Sequence, residues 1–279
     1  MTPESTSSYR EILRREIEEG LSELNRPTSG LLLSGLSAGL DIGFGPFLMA
    51  VVLTMSQGVF SDPITGILLA NAYAVGFIFV VVGRSELFTE HTTLAVVPVL
   101  NGQGSLTDLA RLWGVIYVAN LVGGAIFAGL AVHIGVELGT AHRAAFVELG
   151  RKLVAYSWSV TLLAGVLAGW LMGLMTWLVA AGQNTISQAA FVWIVAVAIG
   201  LSHLPHSIAG SIEVLMGVFV EDGIAISEFL TFLVWSTIGN VIGGTIFVGL
   251  LKYGHGVRPG AAKQDINVSV ERTRDEQQM

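Results

Sequence analysis

Six apolar stretches alternate with short polar connections along the chain, at roughly 31–57, 64–100, 108–134, 153–181, 187–219 and 226–252. About 20 apolar residues in a helix span a hydrocarbon core of about 30 Å, so each stretch is long enough to cross a membrane. The second and fifth exceed that length, and polar residues interrupt both. The first interruption is Gly83-Arg84-Ser85-Glu86-Leu87-Phe88-Thr89-Glu90-His91-Thr92; the second is Ser202-His203-Leu204-Pro205-His206-Ser207-Ile208-Ala209-Gly210. Pro205 lacks a backbone donor and disfavours helix before it, and Gly210 permits non-helical dihedrals. The pattern predicts an all-α membrane protein with six transmembrane helices, the second and fifth broken.

Ahead of these spans, Ser8-Tyr9-Arg10-Glu11 has the form of a capping box, followed by Tyr9, Ile12, Leu13, Ile17, Leu21 and Leu24 at helical spacing. Pro27 and Gly30 close that pattern. Residues 1–29 therefore read as an N-terminal segment with an amphipathic helix, lying on the inner membrane face or packed on a neighbouring subunit. Residues 30–255 form the membrane domain, and 256–279 a polar tail expected to be disordered.

The chain also repeats itself. RLWGVIYVANLVGGAIFAGL (111–130) aligns with TFLVWSTIGNVIGGTIFVGL (231–250), which sets Asn120 over Asn240 and Gly123-Gly124 over Gly243-Gly244. LLSGLSAG (32–39) echoes in LLAGVLAG (162–169), and the breaks themselves stand 120 residues apart, with Thr89 over Ala209. Repeat 1 covers about 30–134 and repeat 2 about 153–252. A membrane protein built of two matching, inverted three-helix halves carries its solute site where the halves meet. Unwound backbone persists at membrane depth only where it lines a cavity or is buried in protein. Kinks repacked by neighbours explain one break more readily than two at matched positions. The paired glycines allow close helix approach, and the two asparagines either stabilise that contact or line the pore.

Composition agrees: 52% hydrophobic, 13% charged and 34 glycines, with a mean hydropathy of +0.69. The absence of cysteine removes disulfides, thiol catalysis and cysteine metal sites. A net charge of −7 argues against a nucleic-acid partner. The first 25 residues lack the apolar core of a signal peptide. With both termini cytoplasmic, Arg10, Arg14, Arg15, Arg26, Arg111, Lys252, Arg258, Lys263, Arg272 and Arg274 lie inside, against Arg143, Arg151 and Lys152 outside, which sets the orientation.

Glu86-Leu87-Phe88-Thr89, Asn120-Leu121-Val122-Gly123-Gly124, His206-Ser207-Ile208-Ala209 and Gly239-Asn240-Val241-Ile242-Gly243-Gly244, in this order within the six-span layout, resemble the formate/nitrite transporter family over about residues 30–252. The resemblance implies an aquaporin-like protomer, a homo-pentamer with one pore per protomer, and passage of small monovalent anions or their neutral acids, such as formate, nitrite, lactate or hydrosulfide. It implies a channel or transporter of the cell membrane, without a cofactor and without enzymatic activity. It makes His206 the central pore histidine, Thr89 the loop threonine and Asn240 the asparagine near that histidine. It places Leu87 and Phe88 at an inner constriction, Tyr73, Phe77 and Ile199 at an outer one, and Lys152 within about a residue of an outer lysine. Asp41, Arg84, Glu90, His91, Gly169, Gly210 and Glu213 depart from the family pattern and mark a divergent branch.

Two apolar constrictions oppose a bare anion, because burying an unpaired charge costs many kcal/mol. Protonating an acid of pKa about 4 at neutral pH costs ~4 kcal/mol, so the crossing species is expected to be neutral. His206 is the candidate proton donor; the plainer alternative is a buried neutral histidine bonded to a carbonyl. Thr89 and Asn240 are expected to bond the solute or orient the imidazole, and Lys152 and Arg151 to attract anions. Asp41 is expected to pair with Arg84, with Glu86, Glu90, His91 and Glu213 as further charged candidates that pair or, for the first two, face inner water. Two rival readings remain open: a proton-coupled or cation-conducting pore using Asp41, Glu86 and Glu90, and an intramembrane enzyme whose metal is held by His91, His203, His206 and a glutamate. The second lacks an HExxH segment. A neutral-solute channel of aquaporin type lacks its Asn-Pro-Ala segment.

Overall fold

The protein is described here from a computed structural model, over residues 7–221 and 223–257. Most of the expected polar tail lies outside the described residues. All regular structure among them is helical: α1 (Tyr9–Asn25), α2 (Thr28–Ile42), α3 (Phe44–Ser56), α4 (Asp62–Val82), α5 (Phe88–Leu94), α6 (Val96–Leu100), α7 (Leu106–Glu137), α8 (Arg143–Val154), α9 (Trp158–Ala181), α10 (Thr185–Leu201), α11 (Ala209–Val218), α12 (Ile226–Ile242), a π-helical stretch Gly243–Leu250, and α13 (Leu251–Gly256).

Five helical stretches are long and apolar enough to cross a membrane: Thr28–Ser56, α4, α7, α9 and Ile226–Gly256. The remaining expected span is divided into α10 and α11, so neither half reaches that length. The fourth span begins later than the sequence suggested. Residues 153–157 end α8 and turn into α9, where Ser157 precedes the first turn. At about 1.5 Å per residue, the 24 residues of α9 reach about 36 Å, enough to cross a hydrocarbon core of about 30 Å.

Helices pack closely where glycine removes a side chain. A Cβ on Gly39 of α2 would strike the Asn120 carbonyl oxygen of α7, and one on Gly169 of α9 would strike that of Asn240 in α12. Gly123 and Gly243 stand in the same relation to Leu36 and Val166. Thus the glycine pairs read from the sequence hold equivalent helix crossings in the two repeats. The π-helical stretch has bonding partners in α5. Thr93 of α5 donates to the Gly244 carbonyl (2.8 Å), and Thr245 donates to the Thr92 carbonyl (3.0 Å). Such outside partners suit the displaced ladder of a π-helix.

α1 forms where the sequence placed it, and the Ser8 side chain accepts from the Glu11 amide (3.3 Å). Its apolar face, however, is covered by this same chain. Ile12, Leu13, Ile17 and Leu21 cluster with Val97, Trp177 and Ala180, and Tyr9 donates to the Lys252 carbonyl (2.5 Å). The face assigned from the sequence to lipid or to a neighbouring subunit is therefore occupied by α6, α9 and the α12–α13 end.

Candidate functional site

Each break begins on a residue with a left-handed backbone, Arg84 (φ 60°) and His203 (φ 50°). Such a conformation turns the chain out of the helix at a cost for any residue with a Cβ. The loosened backbone is then gripped by one asparagine. Asn120 Oδ1 accepts from the Phe88 amide (2.8 Å), while its Nδ2 donates to the carbonyls of Glu86 (2.9 Å) and Gly35 (2.8 Å). Asn240 repeats the arrangement: Oδ1 accepts from the Ser207 amide (2.8 Å), and Nδ2 donates to the carbonyls of Pro205 (2.9 Å) and Gly165 (2.9 Å). Both asparagines are fully buried.

These bonds correct two expectations. Both amide hydrogens of each asparagine are committed to backbone, so neither side chain offers a donor to a solute and Asn240 does not orient the imidazole. The equivalence also runs Phe88 to Ser207 and Leu87 to His206, one residue away from the register that set Thr89 over Ala209.

His206 is buried between the two breaks. Its Nε2 lies 2.8 Å from Thr89 Oγ1, joining the repeats. Its Nδ1 accepts from the amides of Ile208 (3.2 Å) and Ala209 (3.1 Å), capping the start of α11. An Nδ1 that accepts two amides carries no proton. The neutral ring therefore holds its hydrogen on Nε2 and donates to Thr89, a tautomer inferred from the bonding pattern. The plainer sequence alternative, a buried neutral histidine, matches this, with amides and a hydroxyl as partners instead of a carbonyl.

Apolar groups surround the pair. Phe77 meets the His206 ring edge-on (5.1 Å between centroids) and Tyr73 lies 5.0 Å from Phe77. Ile199 is buried one residue before Gly200, which packs on Tyr73. Leu87 and Phe88 are buried in the first break, and Phe88 packs against Tyr117 (4.8 Å).

The charged candidates distribute differently from the expected pattern. Asp41 and Arg84 do not pair. Asp41 accepts from Ser37 (3.0 Å) and Ser85 (3.3 Å), whereas Arg84 reaches out to Glu19 of α1 (3.1 Å). Glu86 does not simply face water: it holds Arg26 (2.7 Å) through one oxygen and His91 Nε2 (2.5 Å) through the other. Glu90 is partly buried, and its Oε1 is sealed without a partner. At the opposite end of α9, Lys152 pairs with Glu148 (3.2 Å) on the surface. Glu213 is buried on α11. Arg151 is tied to Glu228 (3.3 Å) and to the Gly223 carbonyl (2.7 Å). Among the described residues no group of three or more His, Asp or Glu side chains is placed to hold a metal ion. The histidines proposed for the enzyme reading are separated by their partners, His91 with Glu86 and His206 with Thr89.

Between α1 and the first break lies a cavity of about 440 Å³, lined by Glu16, Glu19, Glu23 and Arg26 on one side, and Arg84, Ser85, Glu86 and Glu90 on the other. The α1 acids were missed from the sequence, although their spacing of three and then four residues puts them on one helix face.

Comparison with known proteins places this geometry. A family model for the formate/nitrite transporter matches residues 10–254. Inner membrane protein YfdC of Escherichia coli (strain K12) is 30% identical over 246 residues, covering 85% of this chain and 75% of that protein. Formate channel FocA of the same strain is 26% identical over 238 residues, covering 77% of this chain and 82% of its own length. A solved pentameric formate channel with formate bound superposes with a TM-score of 0.69 at 22% identity, covering 81% of this chain and 96% of that one. With its family model spanning nearly the whole described chain, this protein belongs to the formate/nitrite transporter family.

Proposed function

We propose that this protein is a multi-pass channel of the cytoplasmic membrane, assembled as a pentamer, that conducts small monovalent anions of the formate and nitrite class, crossing as their neutral acids. Both termini and the α1 cavity face the cytoplasm, as the distribution of basic residues favours. The observation that carries the reading is the matched pair of asparagine-held breaks meeting at His206 and Thr89, in a chain of this family. FocA, named as a formate channel, and the pentameric formate channel supply the cargo class and the assembly by likeness.

In this reading Leu87 and Phe88 form the inner apolar collar, and Tyr73, Phe77 and Ile199 the outer one. The His206 ring gives the passing solute a hydrogen-bond donor, through Nε2 directly or through the Thr89 hydroxyl. Becoming an imidazolium would place a second N–H against the amides of Ile208 and Ala209. That opposition disfavours the candidate role of His206 as stored-proton donor and favours a neutral ring acting as a polar stepping point. Lys152 draws anions to the outer mouth.

Uptake of formate, nitrite, lactate, acetate and hydrosulfide by proteoliposomes, at two pH values, tests the reading. At least one is expected to enter faster at the lower pH and to slow in His206→Ala. If none moves, the reading fails.

A second reading, a cation-conducting or proton-coupled pore, draws on the five glutamates that line the α1 cavity. Reversal potentials in salt gradients separate the two; a cation-selective current ends the anion reading.

A further inference from the structure

The α1 cavity contains five carboxylates and two guanidiniums, and the guanidiniums are fully spoken for. Arg26 is shared by Glu23 (3.1 Å) and Glu86 (2.7 Å), and Arg84 is held by Glu19 (3.1 Å). His91 is spent on Glu86. Two acids remain without a counter-charge, Glu16 and Glu90. Glu16 is 1% exposed although it lines the cavity, and neither of its oxygens has a hydrogen-bond partner. The nearby hydroxyl of Thr176 is turned to the Gly173 carbonyl instead (2.9 Å). Glu90 Oε1 is likewise sealed and unpartnered.

The other elements packed around the cavity bring no rescuing charge. α9 contributes Met175, Thr176 and Val179. Arg111 of α7 is used on the Leu24 and Arg26 carbonyls, and Lys252 sits at the far end of α1 over Tyr9 and Trp177. An ionised carboxylate without a partner is costly to bury, and it takes up a proton instead. Burial, reinforced by the Glu19 charge, pushes the Glu16 carboxyl up to about 8.

We infer that Glu16 and Glu90 form a proton-loading site in the inner vestibule, which neutralises the anion before it meets the Leu87–Phe88 collar. The inference deepens the weak-acid channel reading and rests on it. Glu90 immediately follows Thr89, and Glu86 and Glu90 bracket the collar residues. In the step, the O–H bond of the Glu90 carboxyl breaks and an O–H bond forms on the anion. The neutral acid advances, and the carboxylate left behind is reloaded from inner water, with Glu16 as the second proton carrier of the same cavity.

Two measurements test this. Infrared difference spectra of the purified protein at neutral pH should show the C=O stretch of a protonated carboxylic acid, reduced in Glu16→Gln and in Glu90→Gln; its absence from the wild type overturns the inference. In proteoliposomes loaded with formate, efflux through Glu90→Gln should be about tenfold slower at neutral pH and should lose most of its pH dependence, since one pKa unit corresponds to tenfold in protonated fraction. Wild-type efflux with an unchanged pH profile in both variants overturns the proton-loading site and leaves the channel reading standing; no wild-type transport removes the channel reading itself. Replacing sodium by choline should leave the rate unchanged, and a sodium requirement would assign the two carboxylates to a metal cation instead. If Glu16→Gln fails to fold, the wild-type spectrum and Glu90→Gln still decide the outcome.

Discussion

Asn120 and Asn240 stand in the same relation to their own broken helices. Each accepts from one amide of the break, and donates both to the carbonyl two residues earlier and to a carbonyl of the helix alongside. Replacing either by leucine removes three bonds and leaves one amide and one carbonyl of the break without partners, since the third acceptor, Gly35 or Gly165, keeps its own helical bond. At about 1 kcal/mol net per bond, Asn240→Leu and Asn120→Leu should each lose about 3 kcal/mol or more. Thermal unfolding in detergent checks this, and two values near zero would show that the breaks hold themselves.

His206 has two separable tasks, and one substitution divides them. Asparagine can supply an oxygen to the amides of Ile208 and Ala209 but cannot reproduce the Nε2 contact with Thr89. His206→Asn should therefore lose about 1 kcal/mol with the Thr89 bond, while His206→Ala should lose about 1 kcal/mol more with the cap. Both should slow solute uptake. Equal stability losses for the two variants would mean that capping contributes nothing.

The Glu16 carboxyl, raised from 4.5 to about 8 in the folded protein, makes stability depend on pH. The folded state binds the extra proton, so stability should fall as pH rises from about 4.5 to about 8, by a few kcal/mol from this group, and level off above. Glu16→Gln should remove that slope: little effect near pH 5 and a higher unfolding temperature above pH 8. Parallel melting curves of the two proteins across this window would contradict it.

Arg84 is the residue whose sequence-based partner was wrong, and its replacement should be mild. Its ion pair with Glu19 is largely exposed and contributes at most about 1 kcal/mol, while its left-handed backbone costs about the same. Arg84→Gly should leave stability unchanged or raise it by up to about 1 kcal/mol. Asp41→Asn and Arg84→Ala should add within about 0.5 kcal/mol in the double variant, as expected of residues with no shared contact.

The helices, the two breaks and the repeat were legible because they are written in local composition: apolar runs, Pro205, Gly210 and a copied Asn-x-x-Gly-Gly. What the polar residues do was not. Asn120 and Asn240 bond to backbone more than thirty residues away, and no local pattern tells a pore-lining amide from one spent on carbonyls. Asp41 and Arg84 share the expected spans, but the positive φ of Arg84 turns it towards α1. The periodicity of α1 showed that one face must be covered; whether lipid, a second subunit or the chain's own α9 covers it depends on tertiary placement. The π-helical stretch left no mark, since its bonding partners, Thr92 and Thr93, lie in another helix.

The asparagine clamps have an evolutionary consequence. They fasten main chain, and main chain is the same whatever residue it carries. The main chain of both interrupted segments is thereby anchored from outside, and the side chains it carries take no part in the asparagine clamps themselves. One half displays leucine where the other displays histidine, on a common frame. Selection can thus exchange these side chains residue by residue, while the architecture that carries them stays put.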